Sequence, residues 1–581
     1  MNRTKYKAMA ALAATAVFCL SAIPALAQET RATLSGTVTD PSGSAMAGAE
    51  LHLVNRDTGV VFTAQSNQLG QYRFLFVNPG TYHLAVTMPG FRTYSRDGVQ
   101  LTTGEAATID VPLQVGEQTQ TVTVSARAPL LDAEKADRGM VVTQNQLSQL
   151  PTLAKVPILM ATLTPGVVWQ AQSYNIQPFS NSGLSGWSIN GSISPSAEFL
   201  LDGAPNDMIY QASHSIAYIP PMDAVAEFKV ITGAYDAQYG RNGGGVMSIV
   251  LKSGANAYHG SGYEYMKRAF LDANSFANNA NGSPRSYDKL DEFGFSAGGP
   301  VLVPKLYNGK ERTFFFVAYE KFLQNTVARS PVSSVPTLAQ RNGDFSQTFN
   351  NAGQLMPIYD PLTGHNVNGQ WVRNAFPSNI IPMDRIDPVG SKIAGLYPLP
   401  NVNLPGPVNW QNNYFNPNDL TQYFFNNFVA RMDQNFGDKE RVYARYAYNN
   451  QLLHDDTNEL PGMAADPRYG NKVNNAFVFD SVTILSPSST LDLRASVNRW
   501  LQDYQPPNYG SYNATAIGWP ASLVSQFPEP RRFPYFTLSN YQSLGSSGSN
   551  IWLAPTTTIS LQPSIALQHG RHIIKAGLDY R

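Results

Sequence analysis

Apolar and polar positions alternate along most of this chain, and the alternation has three regimes. From Ala32 to about residue 115 it comes in short runs. Leu34, Gly36 and Val38 oppose Ser35, Thr37 and Thr39, and Leu51 and Leu53 oppose His52 and Val54. Turns fall at Asp40-Pro41-Ser42-Gly43, Asn67 to Gly70, Asn78-Pro79-Gly80 and Pro89-Gly90. Short strands punctuated at that spacing predict a small β-sandwich over residues 28–115. Residues 116–130 read as a polar, extended linker. Residues 131–254 mix short strands with a weak helix over Gln144 to Leu150 that Pro151 stops, which predicts an α+β unit. Beyond Gly254 the period is two over much longer segments, so the fold class is mainly β throughout.

Nine strands are predicted in residues 255–581: Ala257 to Ala269, Asp291 to Gly299, Glu311 to Leu323, Gln422 to Asn435, Lys439 to Leu453, Asn474 to Leu485, Ser489 to Gln502, Pro555 to Leu567 and Arg571 to Arg581. Several carry a dyad in which one face is apolar and the other polar. Leu491, Leu493, Ala495 and Val497 oppose Asp492, Arg494, Ser496 and Asn498, and Val442, Ala444, Tyr446 and Tyr448 oppose Arg441, Tyr443 and Arg445. A half-buried soluble sheet has the same period, so the links between strands carry more information. After strands one, three, five and seven they are long, and after strands two, four, six and eight they are short. That alternation is the asymmetry of an outer-membrane β-barrel, with long extracellular loops and short periplasmic turns.

Composition agrees with an exported membrane protein. Charged residues are 14% of the chain, against roughly 25% in soluble domains, while Phe and Tyr together number 58. Arg3, Lys5 and Lys7 precede the apolar run Ala8 to Leu20, and Ala25-Leu26-Ala27 fits a small-x-small cleavage site, predicting a signal peptide over residues 1–27. Its removal takes Cys19, the only cysteine, and leaves 38 basic against 41 acidic residues. Disulfides and thiol catalysis are thereby excluded, and the charge balance offers no footprint for nucleic acid. No later apolar run approaches the roughly 20 residues of a membrane helix, so a membrane location requires a closed β-barrel.

Particular motifs go further. Leu163-Thr164-Pro165-Gly166-Val167, Trp187-Ser188-Ile189-Asn190-Gly191, and Phe199-Leu200-Leu201 before Asp202-Gly203 precede Ile219 to Gly254, in which Tyr239-Gly240 and Gly243-Gly244-Gly245 supply turns before a last short strand. This series resembles the plug domain of TonB-dependent outer-membrane receptors, with Asp202, Gly203, Tyr239, Gly240, Gly244 and Gly245 as its signature and Ala204 where the family usually has valine. The phrase Ser35 to Asn55, with Gly70, Tyr72, Phe74, Pro79, Gly80 and Tyr82, resembles a carboxypeptidase regulatory-like domain, an accessory module rather than a peptidase. Asn342 to Phe345, Ile358 to Pro361, Phe295 to Pro300 and Phe314 to Val317 resemble the Oar-like subgroup of these receptors.

The resemblance implies partners and sites. A flexible segment near the start of the plug, the Ton box, would pair as a strand with periplasmic TonB, and Gln120, Thr121, Val122, Thr123, Val124 and Ser125 are the candidate; an ordinary linker strand is the alternative. The segment Trp169 to Gly186 is the candidate ligand-facing loop, with Trp169, Tyr174, Phe179 and Trp187 either contacting ligand or packing. No cofactor or metal is expected: metalloprotease, nucleophile-elbow, phosphate-loop and EF-hand patterns are absent, and His569 and His572 merely flank a hairpin turn. The expected function is TonB-dependent uptake of a large ligand (glycan, peptide or siderophore) across the outer membrane, in contact with its lipid. The alternative is a surface-binding or adhesion protein displaying long loops. A plugged transporter barrel has about 22 strands, so nine strands ending at Arg581 lead us to expect a fragment or truncated product, unable to transport alone.

Overall fold

The computed structural model describes residues 30–581, except 126–135, 151–154, 171–176, 211–212, 281–284, 286, 327–331, 404–405, 407, 417–420, 457–459, 461–466, 507–508, 528–531, 546–550 and 570–571. The expected signal peptide and Tyr174 lie outside the described residues.

The N-terminal unit is a two-sheet sandwich. In one sheet Ala32–Thr39 lies between Gln71–Val77, antiparallel, and Ala106–Thr108, parallel. The other runs in the order Val61–Gln65, Glu50–Asn55, Gly80–Thr87, Thr93–Leu101 and Thr121–Ser125. Inward positions of both sheets, among them Leu34, Leu51, Leu53, Phe74, Leu84 and Val86, form one apolar core. Alternation sends every second residue there and leaves the others to solvent.

The central unit holds a five-stranded sheet in the order Arg138–Thr143, Val225–Gly233, Val246–Leu251, Glu198–Leu201 and Ala204–Pro205. Val246–Leu251 is buried along its whole length. It is an inner strand covered on both faces, which is why its sequence reads as an almost unbroken apolar run rather than an alternating one. The weak helix is present as Gln144–Gln149, and the Gln146 side chain accepts from the Thr143 amide at 2.9 Å. That reciprocal bond satisfies one of the donors left over at a helix start.

All nine predicted strands pair in chain order as one antiparallel sheet: His259–Arg268, Asp288–Pro300, Thr313–Thr326, Thr421–Phe436, Glu440–Asp456, Pro467–Ser486, Ser489–Gln505, Trp552–His569 and His572–Gly577. We call them wall strands one to nine. Most run several residues beyond the sequence prediction, because cross-strand pairing continues through polar positions where the dyad fades. In the seventh, Asp492, Arg494, Ser496, Asn498 and Trp500 are buried while Leu493 and Val497 are exposed. Phe477, Phe479, Ile559 and Ile574 are likewise exposed. An outward apolar and inward polar wall reverses the pattern of a soluble protein and suits a lipid surroundings.

The inward face is not wholly polar. Phe316, Ala318, Val429, Ala447 and Ala476 join the apolar core of the central unit. Small side chains on the wall let the two surfaces approach closely. At the far end, Val335, Tyr397, Tyr414, Leu460, Tyr512 and Phe533, drawn from three different long links, form a separate apolar cluster.

Candidate functional site: the seam between central unit and wall

The site grows from one hairpin. Glu198–Leu201 turns into Ala204–Pro205 through Asp202 and Gly203 alone, at φ of 51° and 76°. Two central residues with positive φ are what Asp-Gly supplies at a two-residue turn. Gly203 is required twice over, since a Cβ there would also sit 2.4 Å from Nη1 of Arg494.

The turn aims Asp202 at the wall. Its carboxylate accepts the Leu251 amide at 2.8 Å and pairs with Arg445 Nη1 at 2.6 Å, and Arg431 Nη1 stands 3.6 Å away. Arg445 also donates to the Leu201 carbonyl, and the Tyr443 hydroxyl to the Asp202 carbonyl, each at 3.1 Å. Beside this group, Arg494 pairs with Asp480 at 2.8 Å, and Arg31 of the sandwich reaches Asp480 at 3.1 Å and Asp492 at 2.7 Å. Sandwich, central unit and wall therefore meet in one buried network of charges. Further bonds follow the same seam: Asn427 donates to the Ile219 carbonyl at 2.9 Å, and Ser296 of the wall to Asp223 at 2.7 Å. On the sandwich side, the Thr103 amide and hydroxyl donate to Glu227 at 2.7 and 2.6 Å. Burial pushes the Glu227 carboxyl above its ordinary value, with the two Thr103 bonds opposing the shift.

The glycines expected to turn the chain before Val246 act differently. Neither Gly240 nor any of Gly243 to Gly245 has a positive φ; Ala234 and Arg241 do. Gly244 and Gly245 are needed for close approach instead, since a Cβ would lie 2.6 Å from Ser196 Oγ at the first and 2.4 Å from the Ile231 carbonyl oxygen at the second. Around Gly240 and Gly243 there is open space. Tyr239 packs against Leu200, Ile231 and Val246.

Of the aromatic residues proposed for ligand, Trp187 is fully buried and its indole donates to the Leu184 carbonyl at 2.6 Å. Phe179 is buried among Phe322, Tyr423 and Phe425 of the wall, with ring centroids 5.2 to 5.4 Å away. Both are buried among packed neighbours in this structure. An aromatic ring recovers more by filling a preformed apolar box than by standing in water. Trp169 is half-buried and donates to the Gly183 carbonyl at 3.0 Å.

Within the Gln120 to Ser125 segment, Gln120 sits in a bend and Thr121–Ser125 is extended, but paired. Thr121 to Ser125 run parallel to Thr93 to Asp97, and Gln120 accepts the Thr93 amide at 2.9 Å. It is the last strand of its sheet among the described residues, with Thr121 and Thr123 exposed. Sequence reasoning passed over the wall residues Arg431 and Asp480, and Arg31 of the sandwich, as site residues. Their signal was present: charged groups placed where a strand otherwise offers only neutral polar ones to the interior.

A sandwich followed by an α+β plug lodged against a long, outwardly apolar antiparallel wall defines a plugged outer-membrane β-barrel protein. The chain belongs to the TonB-dependent receptor family: residues 250–581 match the outer membrane beta barrel domain, residues 136–246 the TonB-dependent receptor plug domain, and residues 33–114 the carboxypeptidase regulatory-like domain. This is a family of transporters, not of enzymes. The chain is similar to the TonB-dependent transporter Oar of Myxococcus xanthus, at 28% identity over 290 residues, covering 47% of this chain and 26% of that protein. Among solved structures it resembles the outer membrane transporter YddB from Escherichia coli (10% identity, 74% of this chain and 45% of that one, TM-score 0.41). It also resembles the siderophore receptor PirA from Acinetobacter baumannii (12% identity, 76% and 47%, TM-score 0.41). The matches thus cover about a quarter of the curated relative and just under half of each of these solved chains.

Proposed function

We propose that the chain provides the accessory sandwich, the plug and part of the wall of a transporter that takes up a large ligand, a glycan, peptide or siderophore. Residues 1–27 direct its export, and the outward face of the wall lies in outer-membrane lipid. TonB draws on Gln120 to Ser125, and the plug then shifts to open a path between itself and the wall. The observation that carries this reading is the seam at Asp202. The plug turn is held to the wall by discrete buried ion pairs with Arg445 and Arg431. Such pairs can be broken one after another by a directed pull, with water entering to solvate the separated charges.

The adhesion reading draws on the cluster formed by the three long links and on Trp371, exposed in the longest of them. A cross-linking test separates the two. With no cysteine after Cys19, single substitutions at Thr121 and Thr123 can be trapped as disulfides with a cysteine-bearing TonB C-terminal domain. The uptake reading expects a cross-link at one or both positions and none at exposed controls on the sandwich. Failure along the whole of Gln120 to Ser125 sinks the Ton-box assignment and leaves surface binding as the better account.

A further inference from the structure

Around Asp202 and Asp480, four ion-paired arginines, Arg31, Arg431, Arg445 and Arg494, are matched by four aspartates, Asp202, Asp433, Asp480 and Asp492. Arg441 is one cation more. It is the second residue of the fifth wall strand, just past the short turn at residues 437–439, and so stands at the end of the wall that carries the short turns. Among the described residues its side chain has neither a hydrogen bond nor an ion pair; the residue is half-buried, with Nη2 shut away from water. Its guanidinium lies over the Phe62 ring of the sandwich, 4.0 Å from the centroid. A cation–π contact attracts a cation without neutralising it, and a guanidinium nitrogen closed off from water without an anion is costly to hold.

Arg441 lines a cavity of about 70 Å³ between sandwich and wall, large enough for a group of a few heavy atoms. Arg31 lines the same cavity, and so do the neutral polar residues Asn55, Asn78 and Ser253. Two carboxylates, Asp433 and Asp480, also border it, but each is engaged elsewhere: Asp433 by Arg431 at 2.7 Å, and Asp480 by Arg494 and Arg31.

We propose that this cavity is a binding site for a small oxyanion, a carboxylate or a phosphate, held by the Arg441 guanidinium between the sandwich and the wall. The planar fork of arginine matches two oxygens of either group. A bound oxyanion balances the surplus cation and ties the sandwich to the mouth of the wall. The proposal concerns local charge at this seam and is independent of the uptake reading.

The test is calorimetric titration of the full chain in detergent with inorganic phosphate and, separately, with acetate, at constant ionic strength set by chloride. Saturable binding of one oxyanion per chain is expected. Substituting Arg441→Gln should weaken it at least tenfold, whereas Arg441→Lys, which keeps the charge, should retain more of it. The better-bound anion tells a phosphate site from a carboxylate site. If neither gives heat beyond the chloride control, or if Arg441→Gln binds as the unsubstituted chain does, the site does not exist. The titration of the unsubstituted chain decides the matter even if Arg441→Gln fails to fold.

Discussion

Replacing Asp202 by asparagine removes one charge from the plug and almost no volume. The carboxylate is 4% exposed and its main partner Arg445 only 2%. Breaking a buried pair by removing one member costs about 3–5 kcal/mol, because the other charge stays buried without compensation. Here the loss is cushioned: Arg431 keeps Asp433 at 2.7 Å, and Arg445 keeps the Leu201 carbonyl at 3.1 Å. Asparagine can still accept the Leu251 amide, so that backbone bond is not part of the loss. We therefore expect the low end of the range, about 3 kcal/mol. A double-mutant cycle with Arg445→Met, followed by urea unfolding of the chain in detergent, should return a coupling of about 2 kcal/mol, within the span found for neighbours in one network. A loss for Asp202→Asn below about 0.5 kcal/mol, the size expected of an exposed pair, would refute the claim that this turn fastens plug to wall.

Gly203→Ala should cost about 1–2 kcal/mol for the left-handed backbone alone, and more for the clash with Arg494; thermal unfolding checks it, and an unchanged midpoint contradicts the turn geometry. Phe179→Ala should cost about 3–5 kcal/mol, as for other large aromatic truncations, and a loss under about 1 kcal/mol would mean that the aromatic box does not anchor the outer part of the plug. Glu227 has a folded value above its unfolded one because of burial. Its contribution is therefore fully present below the unfolded value and is lost as pH rises through the folded value. Glu227→Gln should accordingly be the more stable form at neutral pH and lose that advantage in acid, and a stability difference that does not vary between about pH 4 and pH 8 would count against this, since the window must lie above the unfolded carboxyl value of roughly 4.3.

Much of the architecture was legible because it is periodic. Strands that bury one face must alternate, so the seventh wall strand could be read residue by residue from Leu491 to Asn498, and its structure follows that reading. The alternation of long and short links survived for the same reason, since an up-and-down meander returns to one side after every second strand. The Asp202-Gly203 turn was visible because only a few residues accept two successive positive φ values. The glycines near Val246 were visible as residues but not as roles. Whether a glycine serves a turn or a close approach depends on what lies opposite, and for Gly245 that is the Ile231 carbonyl, across a strand pair.

The sequence by itself determined the mainly β class, the approximate strand positions and which side of several wall strands turns outward. These depend on interactions between residues two apart, or between neighbours in a turn. Tertiary structure alone decided that Phe179 and Trp187 are buried, that Thr121 to Ser125 pair with Thr93 to Asp97, and that Asp202 finds Arg445 while Arg441, among the described residues, finds no aspartate. Those outcomes join residues far apart in the chain, 243 positions in the case of Asp202 and Arg445. No local pattern encodes them, because the partner of a buried charge is chosen by which surfaces close over it.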